Sequence, residues 1–451
     1  MKIIIIGCGR VGQSLAEKLN ADGNNLTVID MQASKVEAIT HRCDIMGVVG
    51  NGATRATQRE AGVETADLLI AVTDSDELNL LCCVIAKTEG NCRTIARVKN
   101  PEYSKEAMYL KQQLGLAMVI NPEYAAAEEI ARVLRFPAAM KIEPFAKGKV
   151  ELVKFKLPKG SRLIGMSIKD MAMKYHCDVL VCTIERGEVA HIAGGDFVFE
   201  EKDVVSIIGT PKNAHEFFKK IEYTGNSIKK ALMVGGGVIT HYLCEILENS
   251  GLSLKVIARD YKRCEELCTQ WPKVDVIHGN ISDRELLQEE GIKKADAFVA
   301  LSDVDEENIL LSLFAQEFCQ GKLVTKINHA DYDSVISRLE LDTVVCPVNI
   351  TADSIQRFVR AKRNAKGSNV ETLYNIIPGQ VEAAEFIIKE NSPVAGKPLR
   401  EMKFKKGVLI ASISRGGEVI IPRGQDVIQA GDAVVVVSKH LGLEDVTDIL
   451  R

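Results

Sequence analysis

The chain has 451 residues, of which 46% are hydrophobic, 26% charged and 5% aromatic, and its formal net charge is −4. This length exceeds one ordinary core and predicts several domains, and the lack of a basic excess argues against nucleic acid as the partner. The apolar runs fall short of the roughly 18 residues that span a bilayer, and no secretory signal is recognisable, so we expect a cytoplasmic protein.

The twelve cysteines are scattered and include no C-x-x-C pair. This spacing favours reduced thiols over a disulfide framework. Cys264 and Cys268 stand four residues apart, but no histidine or acidic residue joins them at ligand spacing. The sequence therefore predicts no metal site.

Short apolar segments alternate with helical stretches over the first 120 residues. The predicted strands are Lys2–Ile6, Leu26–Asp30, Ile45–Val49, Asp67–Val72, Thr94–Lys99 and Met118–Asn121. The predicted helices are Gly12–Asn20, Ala33–His41, Ser75–Thr88 and Glu102–Gln113. Such alternation indicates βαβ units and a parallel, doubly wound sheet.

A glycine motif follows the first predicted strand and opens the first helix. In this context Gly7 permits a tight turn, Gly9 lets a pyrophosphate approach the backbone, and Gly12 lets helix and strand pack closely. Asp30 stands at the end of the second strand, where a carboxylate accepts ribose hydroxyls and disfavours a 2′-phosphate. The pattern predicts a nucleotide site for NAD(H), or for ATP or ADP, in preference to NADP.

Other polar residues at strand ends converge on the same crevice, because ligands of open parallel sheets bind beyond the carboxyl ends of the strands. Asn51 and Thr73 are candidate neighbours of the ribose or base, with turn capping as the alternative. Arg10 and Arg97 are candidate phosphate partners. The alternatives are a solvated side chain for Arg10 and an ion pair with Asp74 for Arg97.

The chain contains a duplication. A shift of 228 or 229 residues aligns ADLLIAVTDSDELN (66–79) with ADAFVALSDVDEEN (295–308), and RVKNPEY (97–103) with KINHADY (326–332). Further along, DVLVCTIERGE (178–188) aligns with GVLIASISRGG (407–417), and both read as strand, Arg-Gly turn, strand. Each half is thus a larger α/β domain followed by a smaller strand-rich one.

These observations predict two Rossmann-like, doubly wound parallel-sheet domains, each followed by a small α+β domain. The predicted boundaries are 1–122, 123–225, 228–348 and 349–451. A crossover helix opens each small domain, after Pro122 and after Pro347. The second helix is expected to finish in a basic linker, RFVRAKRNAKGSN (357–369).

The second glycine loop departs from the first. Gly235 and Gly237 are kept, but Thr240 occupies the place of Gly12, and Ala258 that of Asp30, with Arg259 next to it. We expect Thr240 to cost helix packing more than phosphate contact, and Ala258 to remove the ribose acceptor. Two interpretations stay open: a degenerate structural copy, or a site of different preference in which Arg259 favours extra phosphate charge and Asp260 partly replaces the carboxylate.

An oxidoreductase is the main enzymatic alternative, because the same fold binds nicotinamide cofactors. None of the eight histidines lies in a recognisable catalytic arrangement, and the connections are too short for a substrate pocket. We therefore predict no catalytic residues.

The segments GCGRVG, VVGNGATRATQREAGVETADLLIAVTDSDELN and ARVKNPEY, with LIGMSIKDM and EEKDVVSIIG downstream, resemble the RCK (or KTN) family, which regulates potassium conductance in bacteria. The resemblance covers nearly the whole chain. It implies a non-enzymatic regulatory subunit, peripheral on the inner face of the membrane, that controls an integral-membrane potassium transporter. A regulator of a different potassium channel or efflux system is the alternative.

The resemblance also implies the ligands and the residues that hold them. NAD(H) and ATP or ADP are the expected ligands, and self-association as a dimer or tetramer ring is expected. At the first site the implied residues are Gly7, Cys8, Gly9, Arg10, Val11, Gly12, Asp30, Asn51, Thr73, Asp74 and Arg97. At the second they are Gly235, Gly236, Gly237, Val238, Ile239, Ser302 and Asp303, with Lys326 in the place of Arg97.

Overall fold

A computed structural model describes the chain except for residues 138, 146–148, 188, 193, 224–227, 320, 329–335, 337, 338, 340, 365–369, 378, 441 and 444. The chain divides into two compact units, and each draws on both halves of the sequence. The first unit comprises residues 1–131 and 228–356, and the second comprises residues 132–227 and 357–451.

The first large domain is built on a six-stranded parallel sheet. Its strands in chain order are β1 (Lys2–Ile6), β2 (Asn25–Asp30), β3 (Met46–Val49), β4 (Leu68–Ala71), β5 (Arg93–Arg97) and β6 (Met118–Ile120). The spatial order is β3-β2-β1-β4-β5-β6, so the order reverses beside β1. Its helices are α1 (Arg10–Ala21), α2 (Ala33–Arg42), α3 (Arg55–Glu60), α4 (Asp76–Gly90), α5 (Pro101–Lys105), α6 (Ala107–Gln113) and α7 (Pro122–Arg135), with a 3-10 turn at Val63–Thr65.

The first small domain is an antiparallel sheet covered by two helices. Its elements in chain order are β7 (Lys141–Phe145), β8 (Val150–Lys156), α8 (Ile168–Tyr175), β9 (Leu180–Arg186), β10 (Val189–Ile192), β11 (Val204–Gly209) and α9 (Pro211–Lys220). The strand order is β10-β9-β11-β8-β7. The turn at Arg186 and Gly187 joins β9 to β10 as the sequence predicts.

The second half repeats both architectures. Its large domain contains β12 (Lys230–Val234), α10 (Val238–Leu247), β13 (Ser253–Ala258), α11 (Tyr261–Gln270), β14 (Asp275–His278), α12 (Arg284–Glu289), a 3-10 turn (Ile292–Lys294), β15 (Ala297–Ala300), α13 (Asp305–Phe318), β16 (Lys322–Lys326), β17 (Thr343–Val345) and α14 (Pro347–Asn364). Its small domain contains β18 (Val370–Ile377), β19 (Val381–Ile387), β20 (Val408–Arg415), β21 (Glu418–Ile420) and β22 (Ala433–Ser438), with 3-10 turns at Leu399–Glu401 and Val446–Ile449. The strand orders, β14-β13-β12-β15-β16-β17 and β18-β19-β22-β20-β21, match those of the first half. The predicted fold class is confirmed.

Several elements differ from the sequence prediction. The single helix predicted over 102–113 is two helices that break at Glu106, and β5 ends at Arg97 rather than Lys99. Val98 still donates its amide to the Ile120 carbonyl at 2.8 Å, but the amides of Lys99 and Asn100 turn away to bond the carboxylate of Asp76. The predicted linker begins inside α14, which continues to Asn364; residues 365–369 lie outside the described residues.

The two large domains pack against each other within the first unit. The Asn121 side chain donates to the Tyr242 hydroxyl at 2.8 Å, and that hydroxyl donates to the Lys99 carbonyl at 3.0 Å. Tyr124 meets the Tyr242 ring edge to face, and Lys18 pairs with Asp353 at 2.5 Å. This contact brings the ends of β5 and β6 close to the second glycine loop.

The second unit contains an apolar core that both small domains share. Phe145, Leu152 and Ile208 of the first sheet belong to the same buried cluster as Val381 and Val435 of the second. Each sheet therefore buries one face against its own helices or turns and the other against its duplicate.

Candidate functional site

The first glycine loop lies between β1 and α1, at the point where the strand order reverses. Gly7 has φ +100°, and a Cβ on Gly12 would lie 1.9 Å from the Gly7 carbonyl oxygen, so both positions require glycine. A Cβ on Gly9 would meet nothing within 4 Å. The first and third glycines thus shape the turn, and the second leaves space for a ligand.

Asp30 is anchored at this loop. Its Oδ2 accepts a hydrogen bond from the Cys8 amide at 2.7 Å, and its Oδ1 accepts one from the Gln32 amide at 2.9 Å. An ionised carboxylate has about four acceptor positions, so capacity for ribose hydroxyls remains. The carboxylate is therefore fixed in position before a ligand arrives.

A cavity of about 470 Å³ opens in front of the first loop. Six predicted residues line it: Cys8, Gly9, Arg10, Val11, Asp74 and Arg97. Sequence reasoning missed Gln13, Lys35 and Glu123 from the first half, and Asn328, Pro347 and Val348 from the second. The site is thus completed by the other copy of the repeat.

The remaining predicted residues of the first site, Gly7, Gly12, Asp30, Asn51 and Thr73, shape the crevice without lining this cavity. Asn51 accepts a hydrogen bond from the Ala53 amide at 2.9 Å, as a turn cap does. Thr73 donates its hydroxyl to the Asn79 side chain at 2.7 Å. Both side chains thus make the contacts expected from the turn-capping alternative.

Arg97 makes the ion pair with Asp74 that the sequence offered as one alternative, and its role as a phosphate partner stays a prediction. Its Nη2 lies 2.9 Å from Oε1 of Glu123, and its Nη1 lies 3.8 Å from Oδ1 of Asp74. The side chain is only 12% exposed and still lines the cavity. A ligand phosphate would therefore compete with Glu123 for this guanidinium.

The repeated DSDELN motif ties the strand ends together, a role that sequence reasoning missed. Buried Asn79 accepts from the Thr73 amide at 2.8 Å and donates to the Arg97 carbonyl at 3.0 Å. Asn308 makes the same two bonds to Ser302 and Lys326. The signal was present in the sequence, because Asn79 is a polar residue at helical spacing from Cys82, Cys83 and Ala86 on a buried face.

The second loop keeps the conformation of the first. Gly235 has φ +112°, and a cavity of about 530 Å³ lies in front of it. All seven predicted residues line this cavity: Gly235, Gly236, Gly237, Val238, Ile239, Ser302 and Asp303. Lys326 lines it too and pairs with Asp303 at 3.3 Å. From the first half, Lys99 and Glu123 complete the wall.

Thr240 fits the second loop by making a new bond. Its buried hydroxyl donates to the Gly235 carbonyl at 2.6 Å, where the first loop has the close contact between Gly12 and Gly7. Helix α10 therefore stays linked to the turn, although the third glycine is missing.

The ribose end of the second cavity differs in chemistry. Ala258 ends β13 and is 1% exposed, while Asp260 caps α11 by accepting from the Arg263 amide at 3.2 Å. The guanidinium of Arg259 donates to Asn280 at 3.1 Å and to Ser282 at 3.0 Å, and it pairs with Glu307. Where the first site has a carboxylate, the second thus has the methyl group of Ala258, followed by an arginine that is paired with Glu307.

The two cavities share part of one wall. Glu123, Asn328 and Pro347 line both. Asn328 is held by Asp305, whose carboxylate accepts from its backbone amide at 2.9 Å. Ligands in the two cavities would therefore contact some of the same residues.

The cysteine of the first glycine loop has a strongly raised pKa. Burial, reinforced by nearby Asp30, raises the pKa of the Cys8 thiol to about 12, so this loop cysteine is not a thiolate nucleophile. Within the described residues, no group of three or more His, Cys, Asp or Glu side chains is arranged to hold a metal ion. None of the described helices has the length and apolar character to cross a membrane.

These features define a class of protein: a tandem of Rossmann-like domains, each with a phosphate-type glycine loop, and each followed by a small antiparallel domain. The TrkA-N domain family matches residues 3–122 and 231–347, and the TrkA-C domain family matches residues 152–222 and 383–451. The chain belongs to the TrkA family.

Full-length relatives carry the same family name. The TrkA homolog of the Trk potassium uptake system from Archaeoglobus fulgidus is 31% identical over 451 residues, covering 100% of both chains. The TrkA proteins from Halomonas elongata and Haemophilus influenzae are each 31% identical, covering 97% of this chain and 95% of theirs.

Solved structures support the fold. The GsuK RCK domain aligns with a TM-score of 0.65 at 17% identity, covering 97% of this chain and 92% of that one. The GsuK channel bound to NAD aligns with a TM-score of 0.65 at 16% identity, covering 97% of this chain and 76% of that one.

Proposed function

We propose that the chain is the cytoplasmic regulatory subunit of a bacterial or archaeal Trk-type potassium transporter. It binds NAD(H), ATP or ADP and so controls potassium transport across the membrane. The observation that carries the proposal is the anchored Asp30 at the glycine loop, in a chain whose full-length relatives are named potassium uptake proteins. Its partner is an integral-membrane transporter of the TrkH/TrkG type, against which it lies peripherally on the inner face of the membrane.

The first cavity is the principal nucleotide site of this proposal. Amides at the start of α1 face the phosphates, Asp30 accepts ribose hydroxyls, and Arg10 and Arg97 respond to phosphate number and charge. The second loop, Gly235–Ile239 with Ser302 and Asp303, receives the phosphates of a second nucleotide.

The duplicated architecture suits a ligand-biased gate. We assign four domains, 1–122, 123–225, 228–348 and 349–451, with hinges near Pro122 and Pro347 and with self-association as a dimer or tetramer ring. A ligand shifts such an assembly only by its different affinity for two states, typically about 1–3 kcal/mol per coupled site. Several sites in one ring add their effects.

The binding step is tested by titrating NADH, ATP and ADP into the full chain and its Asp30→Ala variant. Loss of the ribose acceptor should weaken binding at the first site by about tenfold or more. The matched control is Asp44→Ala, an exposed residue of the same domain. Unchanged affinities in the Asp30 variant, with its thermal unfolding preserved, would refute the site.

The regulatory step needs the transporter. We expect the chain to co-purify with a membrane potassium transporter, and the nucleotides to change potassium flux through the reconstituted complex. The proposal would be contradicted if potassium flux were the same with and without the nucleotides and with and without the chain. Oxidation of NADH by the purified chain with a metabolite would instead favour the oxidoreductase alternative. Co-purification with a potassium efflux channel would favour a regulator of a different potassium channel or efflux system.

A further inference from the structure

We propose that the second cavity binds an adenine nucleotide whose ribose carries a 2′-phosphate, whereas the first cavity takes the unphosphorylated ribose. This inference rests on the proposed nucleotide-binding function and assigns the ligand class of its second site. The two cavities of one chain would then report on two different nucleotide pools.

The second cavity lacks a carboxylate acceptor at the end of β13. In the first site the Asp30 carboxylate faces the loop, where it accepts ribose hydroxyls and repels a phosphate. Ala258 puts a methyl group in that place. This methyl group lies close to the second glycine loop, since a Cβ built on Gly236 would lie 2.9 Å from the Ala258 Cβ. The ribose end of the second cavity therefore offers no anion at this position and no hydroxyl acceptor from this residue.

The second cavity gains hydrogen-bond donors at the same place. Arg259 follows Ala258 directly and lines the cavity together with Arg263, which lies in the first turn of α11. The corresponding residues of the first half are Met31 and Lys35. A guanidinium next to the end of the second strand accommodates a 2′-phosphate in dinucleotide-binding folds, because its paired donors match phosphate oxygens.

Neighbouring side chains hold Arg259 in position before a ligand binds. Asn280 and Ser282 hold its Nε and Nη2, so less side-chain freedom is lost when a phosphate binds. Its side chain remains 49% exposed and within reach of a ligand. Glu307 at the start of α13 balances its charge, whereas the first half has Leu78 at this position. A 2′-phosphate would compete with Glu307 for the guanidinium.

The experiment compares adenosine 2′,5′-bisphosphate with 5′-ADP by calorimetry on the full chain. In the Asp30→Ala background, which weakens the first site, we expect the bisphosphate to bind more tightly than ADP. In the same background Arg259→Met, which installs the first-half residue, should weaken binding of the bisphosphate by about ten- to a hundredfold. Arg423→Met, an 82% exposed arginine of the second unit, is the matched control.

Two more variants sharpen the test. Glu307→Gln should increase the affinity for the bisphosphate, because it removes the carboxylate that competes for Arg259. The double variant Ala258→Asp with Arg259→Met should reverse the preference toward ADP. Equal affinity for the two probes in the Asp30→Ala background, or an Arg259→Met variant with unchanged bisphosphate affinity, would overturn the inference. Neither result contradicts the proposed function, which would be refuted if Asp30→Ala left the affinity for NADH unchanged.

Discussion

The carboxylate of Glu123 and the guanidinium of Arg97 lie 2.9 Å apart, Oε1 to Nη2, at the wall between the two cavities. Both side chains are largely buried, with exposures of 19% and 12%. Arg97 faces the first cavity only, whereas Glu123 lines both. Through this pair, a phosphate bound in the first cavity would act on a residue that also lines the second.

Replacing Glu123 by glutamine should strengthen ADP binding at the first cavity. The amide keeps the shape but removes the charge that competes with phosphate for Arg97, and a gain of about fivefold corresponds to about 1 kcal/mol. Calorimetry in metal-free buffer measures it, with exposed Glu60→Gln as the control. Weaker binding in the Glu123 variant would show that the carboxylate supports the ligand instead.

Alanine at Gly9 and alanine at Gly12 should have opposite consequences. A methyl group at Gly9 enters open space, so stability should change by less than about 0.5 kcal/mol while nucleotide binding is lost. A methyl group at Gly12 would lie 1.9 Å from the Gly7 oxygen, so the fold should lose about 2 kcal/mol or more. Thermal unfolding and NADH titration of both variants separate these effects, and a stable Gly12→Ala would contradict the loop geometry.

Asp203→Asn should destabilise the second unit. Asp203 is 1% exposed and accepts from Arg186 Nε and Nη2, both at 2.9 Å. Arg415 and Asp432 repeat this pair in the other small domain. Loss of the charged partner should cost about 2 kcal/mol in urea unfolding. The exposed Asp196→Asn is the control, and equal stability of the two variants would count against this role.

Ionisation of Glu151 should lower the free energy of unfolding of the chain as the pH rises. Burial raises the pKa of its carboxyl, and nearby Arg132 only partly opposes this shift. The folded state therefore holds the proton above the ordinary glutamate range, and stability is lost as the pH rises from the unfolded pKa through the folded one. Glu151→Gln should melt at a higher temperature than the parent chain at about pH 8, and the difference should shrink toward pH 4.5.

The control for this pH effect is Glu201→Gln at an exposed site. It should melt like the parent chain across the whole range. A constant difference between Glu151→Gln and the parent chain at every pH would show that packing, rather than ionisation, distinguishes them.

Much of the site could be predicted because its signals are local. The strand, the glycine turn and the helix follow each other within a dozen residues, and backbone freedom at Gly7 is a property of that residue alone. Asp30 stands at the end of the next strand, where its position follows from the βαβ pattern. The exchange of Asp30 for Ala258 is equally visible from the aligned repeats.

Other parts of the site were missed because distant contacts create them. The sequence marks Asn79 as a polar residue on a buried helix face, but only tertiary packing supplies its partners at the ends of β4 and β5. The early end of β5 likewise depends on the Asp76 carboxylate, which accepts hydrogen bonds from the backbone amides of Lys99 and Asn100.

The sequence by itself determined the duplicated α/β architecture and the chemistry of each glycine loop, because periodicity, turn geometry and strand-end residues are encoded locally. Only the tertiary structure decided that each cavity is finished by the other copy: Asn328 and Pro347 at the first, Lys99 and Glu123 at the second. That arrangement depends on the packing of two domains through Tyr242 and Asn121. Such packing joins surfaces more than a hundred residues apart, and no local pattern specifies it.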